Sequence, residues 1–309
     1  MPGINETQSA IPAGTKHSSK FLAYLALVGG IVCIAWSAIF VRWTDMPGPA
    51  SAFYRLLIPA ILLLPTYAFH RDPNRLDRRS LAIIAVGGLF FAFDLALYNS
   101  AILQTSAANA TLLGNNAPIF VGVLTWLIFR RRPESSFWFG LALALGGTSV
   151  IVWADLTHHM KFGMGDVMSL GAAACFAVYL LATEKVRETI GTLSFLRLAI
   201  FSSTIALLLI NLVLRTSLLV PNARTWWALL GLGLVSQLGG YLFLTFALGH
   251  LPATITSVSL LTQGPLTAVM ATIFLGEELT TSQILGGALV LSGVALAHRK
   301  RHPEEEANV

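Results

Sequence analysis

Ten long apolar runs, separated by short polar breaks, make up most of this chain. They fall at about 21–41, 50–69, 80–101, 107–129, 137–154, 166–183, 193–213, 225–247, 252–275 and 282–297. A helix crosses a bilayer with about 20 mostly apolar residues. Backbone groups in hydrocarbon must be satisfied internally, so a spanning chain is either helical or a closed barrel. Barrel strands alternate polar and apolar residues over about ten positions, and these runs are continuous. The pattern predicts an all-α integral membrane protein of ten transmembrane helices.

The ten runs divide into two sets of five that resemble each other. Phe53-Tyr54-Arg55-Leu56 and Phe195-Leu196-Arg197-Leu198 open spans 2 and 7 at an offset of 142. At the same offset Gly29 and Cys33 meet Gly171 and Cys175. In spans 4 and 9, Asn115-Asn116-Ala117-Pro118 meets Thr262-Gln263-Gly264-Pro265, offset by 147. Five is odd, so the second set enters the membrane upside down. Inverted repeats of this kind build alternating-access transporters. The expected organisation is a cytoplasmic tail 1–20, a first five-helix repeat 21–155, a second, inverted repeat 165–298, and a cytoplasmic tail 299–309.

Composition agrees. The 309 residues have a mean hydropathy of +0.71 and 11% charged side chains, against roughly 25% in soluble domains. With the N-terminus inside, the inner segments carry Lys16, Lys20, Arg71, Arg75, Arg78, Arg79, Arg130, Arg131, Arg132, Lys185, Arg187, Arg299, Lys300 and Arg301. The outer loops carry only Arg42, Lys161, Arg215 and Arg224. This bias predicts both termini in the cytoplasm. It also explains the net charge of +5 as a topology signal, so nucleic acid is not an expected partner. Cys33 and Cys175 lie within spans, outside any Cys/His cluster, and read as small apolar residues.

Several polar residues lie within spans. Asp94 sits deep in span 3, and a charge there costs at least about 2.5 to 3.5 kcal/mol unless it faces protein or a watery cavity. It is the candidate for binding a substrate ammonium or carrying a proton; the alternative is a helix-bridging hydrogen bond. At helical spacing, Phe90, Asp94 and Tyr98 form one stripe, and Gln237, Tyr241 and Thr245 form its counterpart on span 8. Such stripes line a cavity or glue helices together. Pro118 and Pro265 each remove an amide and are expected to kink their helices, freeing the carbonyls of Gly114 and Leu261. Asn115, Asn116, Thr262 and Gln263 precede them as candidate substrate amides. Trp36, Tyr54, Phe176, Tyr179 and Phe246 are candidate lining aromatics. Arg55 and Arg197 stand about one turn inside their spans and are expected to act structurally or as gates, anchored by carbonyls or by a carboxylate such as Glu277. His158 and His159 lack a third ligand, so no metal is expected, and no cofactor motif occurs.

Arg55, Pro118, Gly165-Asp166, Pro265 and Gly276-Glu277, in this order and spacing, resemble the drug/metabolite transporter superfamily, EamA type. Phe129-Arg130-Arg131 departs from the Gly-Glu often found in the first half. Within the superfamily the chain is most similar to bacterial amino-acid and metabolite exporters. The resemblance implies a ten-helix secondary transporter of the bacterial inner membrane. Its expected partners are a small-molecule substrate, most simply a neutral or aromatic amino acid, membrane lipid, and protons; a monomer suffices. The alternative on the same fold is efflux of cationic drugs or other metabolites. A distant alternative is an intramembrane aspartyl protease using Asp94 and Asp166, since Gly163-Met164-Gly165-Asp166 has a GxGD pattern. Two spans separate these carboxylates, where a proton-sharing dyad needs them adjacent.

Overall fold

The structure, a computed structural model, describes residues 13–66, 77–101, 104, 113–156, 163–275 and 279–299. Ten apolar helices run through the described residues. They are α1 (Ala13–Arg42), α2 (Gly48–Leu63), α3 (Arg78–Ala101), α4 (Ala117–Phe129), α5 (Ser135–Leu156), α6 (Met164–Arg187), α7 (Thr192–Leu214), α8 (Ala223–Leu248), α9 (Ala253–Phe274, interrupted at 261–262) and α10 (Thr281–Ala297). Each falls on one of the ten apolar runs. Several ends show why the chain turns where it does. Asn222 accepts the Thr225 amide at the start of α8 (2.8 Å), and Thr280 and Gln283 cap each other's amides at the start of α10. Arg130 and Arg215 close α4 and α7 in the left-handed conformation, at φ 53° and 52°. Such a residue ends a helix by exposing its last carbonyls to other donors.

The helices pack as two inverted five-helix repeats. α3 lies against α6 and α7, α1 against α8 and α9, α2 against α7, and α5 against α10. With α1 to α5 equivalent to α6 to α10, the α3–α6 and α1–α8 contacts are one contact made twice. Both run antiparallel. Phe91 stacks on Tyr179 at 4.5 Å, Gly87 faces Ala182 and Gly171 faces Leu97. In the mate, Gly30 faces the Gly240 carbonyl and Gly231 faces Phe40. The main core lies where α3, α6, α7 and α8 meet, around Phe91, Tyr179, Leu180, Phe195 and Tyr241. A smaller one joins α5 and α10 to α9 through Leu141, Val258 and Val290.

Among lipid tails, apolar burial contributes little to helix association; close backbone packing contributes more. The α5–α10 pair shows this most directly. Gly140 faces Gly293 and Gly147 faces Gly286, each seven residues apart on one helix face. A Cβ on Gly147 would meet the Gly286 carbonyl at 2.5 Å, and one on Gly293 would meet the Ala144 amide nitrogen at 2.5 Å. Both obstacles are backbone and cannot rotate away. Gly147→Ala and Gly286→Ala are therefore each expected to destabilise the protein by about 1–3 kcal/mol, read as a lower midpoint of thermal unfolding in detergent. Gly146→Ala, where a Cβ meets nothing within 4 Å, should leave the midpoint unchanged.

Candidate functional site

The deep carboxylate and five of the expected residues, Arg55, Phe176, Tyr179, Gln237 and Tyr241, come together between the repeats. Asp94 lies about two-thirds of the way along α3 and makes no hydrogen bond or ion pair among the described residues. Its charge is felt by Arg55 of α2, Tyr241 of α8 and Cys175 of α6. Arg55 donates from Nε to Gln237 Oε1 at 2.8 Å, and its Cζ lies 5.8 Å from the Tyr241 ring centre. Gln237 is fully buried, and its Nε2 has no partner among the described residues. Arg55, read from sequence as a residue near the membrane edge, is thus part of the central polar cluster. No ion pair joins Arg55 to Asp94 among the described residues, so the guanidinium acts on the carboxylate through its field alone.

Aromatic rings wall this cluster. Tyr179 stacks on Phe91 and lies 6.2 Å from Phe176, 6.3 Å from Phe195 and 6.0 Å from Tyr241. Phe91 and Phe195 are core members that the sequence reading missed. A stripe drawn through Asp94 at a spacing of four selects Phe90. The structure buries Phe91 instead and leaves Phe90 half-exposed, because residues three and four back both flank a helical position.

Gln237 owes its position to a feature not expected from the sequence. Residues Leu232–Gly239 of α8 form a π-helical segment. Wider turns of this kind recur at functional sites because they turn side chains out of the regular helical register. The only sequence signal is the glycine content of the stretch, with Gly231, Gly233, Gly239 and Gly240 around Gln237.

Both prolines stand just after a break in their helix. Pro118 is the second residue of α4, after a turn at Asn115–Asn116, and Pro265 is the third residue after the break in α9. A first-turn amide has no partner within its own helix, so proline there costs nothing. The Leu261 carbonyl, expected to be free, accepts the Gly264 amide at 3.2 Å. Asn116 donates from Nδ2 to the Leu113 carbonyl (3.0 Å). Tyr98 packs on Gly114, which brings the foot of the Asp94 stripe to the Asn115 turn. Gln263 is half-buried at the corresponding break.

Other expected residues lie elsewhere. Trp36 packs on Phe40 and, at 4.6 Å, on Phe274 of α9, while Thr267 of α9 donates to the Ala35 carbonyl. Trp36 therefore belongs to the α1–α9 contact and not to the Asp94 cluster. Arg197 donates to the Thr66 carbonyl beyond α2 at 3.1 Å. Glu277, with Arg71, Arg75, His158, His159 and Lys161, lies outside the described residues. Asp166 is buried, with Oδ2 accepting the Gly163 amide at 2.7 Å. Cys175, which senses Asp94, lies nine residues further on, about 13 Å of helical rise. The two carboxylates are too far apart to share a proton.

The two ends of the bundle differ. Where α1 meets α2 and α7 meets α8, the repeats are tied together: Asn222 donates to Asp45, Tyr54 to the Leu218 carbonyl, and buried Asn211 to the Pro49 carbonyl. At the opposite end a vestibule of about 1000 Å³ separates the α1 start and the α4–α5 link from the α6 and α10 ends and the α8–α9 link.

If Arg55 compensates Asp94, removing it strands a charge. Arg55→Met is expected to destabilise the protein by about 2 kcal/mol or more, measured by thermal unfolding. Adding Asp94→Asn to that variant should recover most of the loss; equal and additive losses would show that the two do not interact.

The EamA-like transporter family matches this chain twice, over residues 21–153 and 163–299. The chain is 31% identical over 272 residues to the uncharacterized transporter YwfM of Bacillus subtilis, covering 84% of this chain and 88% of that one. It is 26% identical over 259 residues to the pseudopaline exporter CntI of Pseudomonas aeruginosa, covering 83% and 88%. It is 28% identical over 234 residues to the threonine/homoserine exporter RhtA of Escherichia coli, covering 73% of each. Each half of the chain carries one copy of the family's five-helix unit, and the chain belongs to the EamA-like transporter family.

Proposed function

We propose that this protein exports small zwitterionic metabolites, neutral and aromatic amino acids first among them, across a bacterial inner membrane by alternating access. The observation that carries the reading is Asp94, a carboxylate within α3 with no hydrogen-bond partner among the described residues, in electrostatic reach of Arg55 between the two repeats. An amino acid offers both charges that this pair lacks. Its ammonium binds Asp94. Its carboxylate takes guanidinium donors of Arg55 that Gln237 does not use, since Gln237 accepts from Nε alone, and guanidinium binds carboxylate through paired donors. The rings of Phe91, Tyr179 and Tyr241 offer an apolar and cation-tolerant wall for the side chain.

The site is built from α2 and α3 of one repeat and α6 and α8 of the other, so rocking one repeat against the other exposes it to each side in turn. The tied end and the vestibule end are the two gates of that motion, and Asp94 takes up a proton once the ammonium has left. A threonine/homoserine exporter among the relatives supports the substrate class. Efflux of cationic compounds is the second reading, favoured by Asp94 and the aromatic wall without Arg55.

Uptake of labelled phenylalanine, threonine and a lipophilic cation into proteoliposomes, with and without a pH gradient, separates these readings. The expected result is saturable amino-acid uptake that responds to the gradient. Asp94→Asn should lower it by about tenfold or more, the loss of one charged contact. Transport of the cation alone would replace the amino-acid reading with the second one. Wild-type amino-acid uptake by Asp94→Asn would remove Asp94 from the site.

A further inference from the structure

The vestibule holds a set of charges that transport through the Asp94 site does not use. Its three carboxylates are engaged. Glu184 accepts the Ala253 amide at the start of α9, Glu188 pairs with Lys185 at 2.6 Å, and Glu134 accepts from the Ser136 hydroxyl at 3.3 Å. Four cations on the same walls, Lys20, Arg131, Arg132 and Arg299, make no ion pair or side-chain hydrogen bond among the described residues. Arg131 lies within electrostatic reach of Glu184 without pairing to it, and Arg132 rests 5.8 Å from the Trp126 ring centre. Five basic side chains on the vestibule wall, Lys20, Arg131, Arg132, Lys185 and Arg299, face three carboxylates, and a low-dielectric wall concentrates the net positive field.

Aromatic side chains adjoin these cations. Phe21 and Tyr24 of α1 line the vestibule, yet they are 66% and 41% exposed. Phe21 begins an exposed apolar stripe along α1 that continues through Leu25, Val28 and Val32, at the spacing of one helix face. The stripe lies along a span and ends at Lys20. A ligand following it has an apolar chain along α1 and an anionic head at the four cations. From this we infer that the vestibule binds the phosphate headgroup of an anionic phospholipid, with Arg131 and Arg132 of the α4–α5 link as its principal contacts. Arginine suits phosphate through its paired donors, and basic pockets between helices at a membrane face bind such headgroups. A headgroup held there sits between the first-repeat and second-repeat walls, and so occupies the space that closure of this end must remove.

The test is retention of defined lipids by the purified full-length protein in detergent, read by native mass spectrometry. The probes are dioleoylphosphatidylglycerol and dioleoylphosphatidylcholine, with inorganic phosphate as a competitor. Wild type should retain phosphatidylglycerol over phosphatidylcholine. Arg131→Gln with Arg132→Gln should lose about fivefold per arginine, and the Arg131→Lys, Arg132→Lys pair should keep part of it. Arg215→Gln with Arg224→Gln, at the tied end, should behave as wild type. Equal retention of both lipids, or no loss in the Arg131→Gln, Arg132→Gln pair, overturns the proposal. Displacement of phosphatidylglycerol by millimolar inorganic phosphate overturns the lipid as its source and assigns the cations to a soluble anion. Amino-acid uptake is not the readout, so the substrate assignment at Asp94 can fail while this site stands, and the reverse.

Discussion

A chain in hydrocarbon has to satisfy its own polar groups, and most features of this structure follow from that requirement. Hydroxyls within spans bond back to carbonyls one turn earlier, as Thr183 does to Tyr179 and Thr204 to Ile200. The two interruptions of regular helix, at Asn115–Asn116 and at 261–262, keep their amides bonded locally. The polar centre is less well satisfied: among the described residues Asp94 makes no hydrogen bond and Gln237 Nε2 has no partner. A group left without a partner in such a setting costs free energy.

The inverted repeat gives this polar centre its place. Equivalent helices pack by equivalent contacts, so α3–α6 and α1–α8 build two similar walls, and the surfaces between them face each other across the bundle. Symmetry does not extend to the chemistry. Arg55 reaches Gln237, while its counterpart Arg197 holds the carbonyl of Thr66. Asp94 has Tyr241 at its equivalent position. One repeat therefore supplies both charges and the other supplies the amide and most of the rings. A zwitterion lying between them would be gripped unequally by the two halves.

The glycine contacts set how rigidly each part moves. α5 and α10 meet backbone to backbone through Gly140, Gly147, Gly286 and Gly293, which joins the last helix of one repeat to the last of the other. The polar ties at the α1–α2 and α7–α8 end are side-chain hydrogen bonds, several of them partly exposed. Such bonds exchange with water at small net cost, whereas a packed glycine seam has no alternative partner in lipid. The seam is thus the more firmly fixed of the two contacts between the repeats.

Sequence alone determined the number of helices, their approximate limits and the inverted pairing, because apolar length and chain polarity are one-dimensional properties that the bilayer reads directly. It also identified Asp94, Gln237, Tyr241 and Tyr179, since polar or aromatic residues within spans stand out against the apolar background. The tertiary structure decided which of these meet. It moved Arg55 from an edge role into the cluster, placed Trp36 against α9, and exchanged Phe90 for Phe91. It also placed both prolines just after a break in their helix, at Asn115–Asn116 and at 261–262. These outcomes depend on helix rotation, on the π-helical segment at Leu232–Gly239 and on antiparallel register. Each shifts a side chain by a fraction of a turn, and none leaves a periodic mark in the order of residues. The vestibule was illegible for a different reason: its charges lie in four separate links and ends of the chain, and in sequence they read only as the basic flanks of spans.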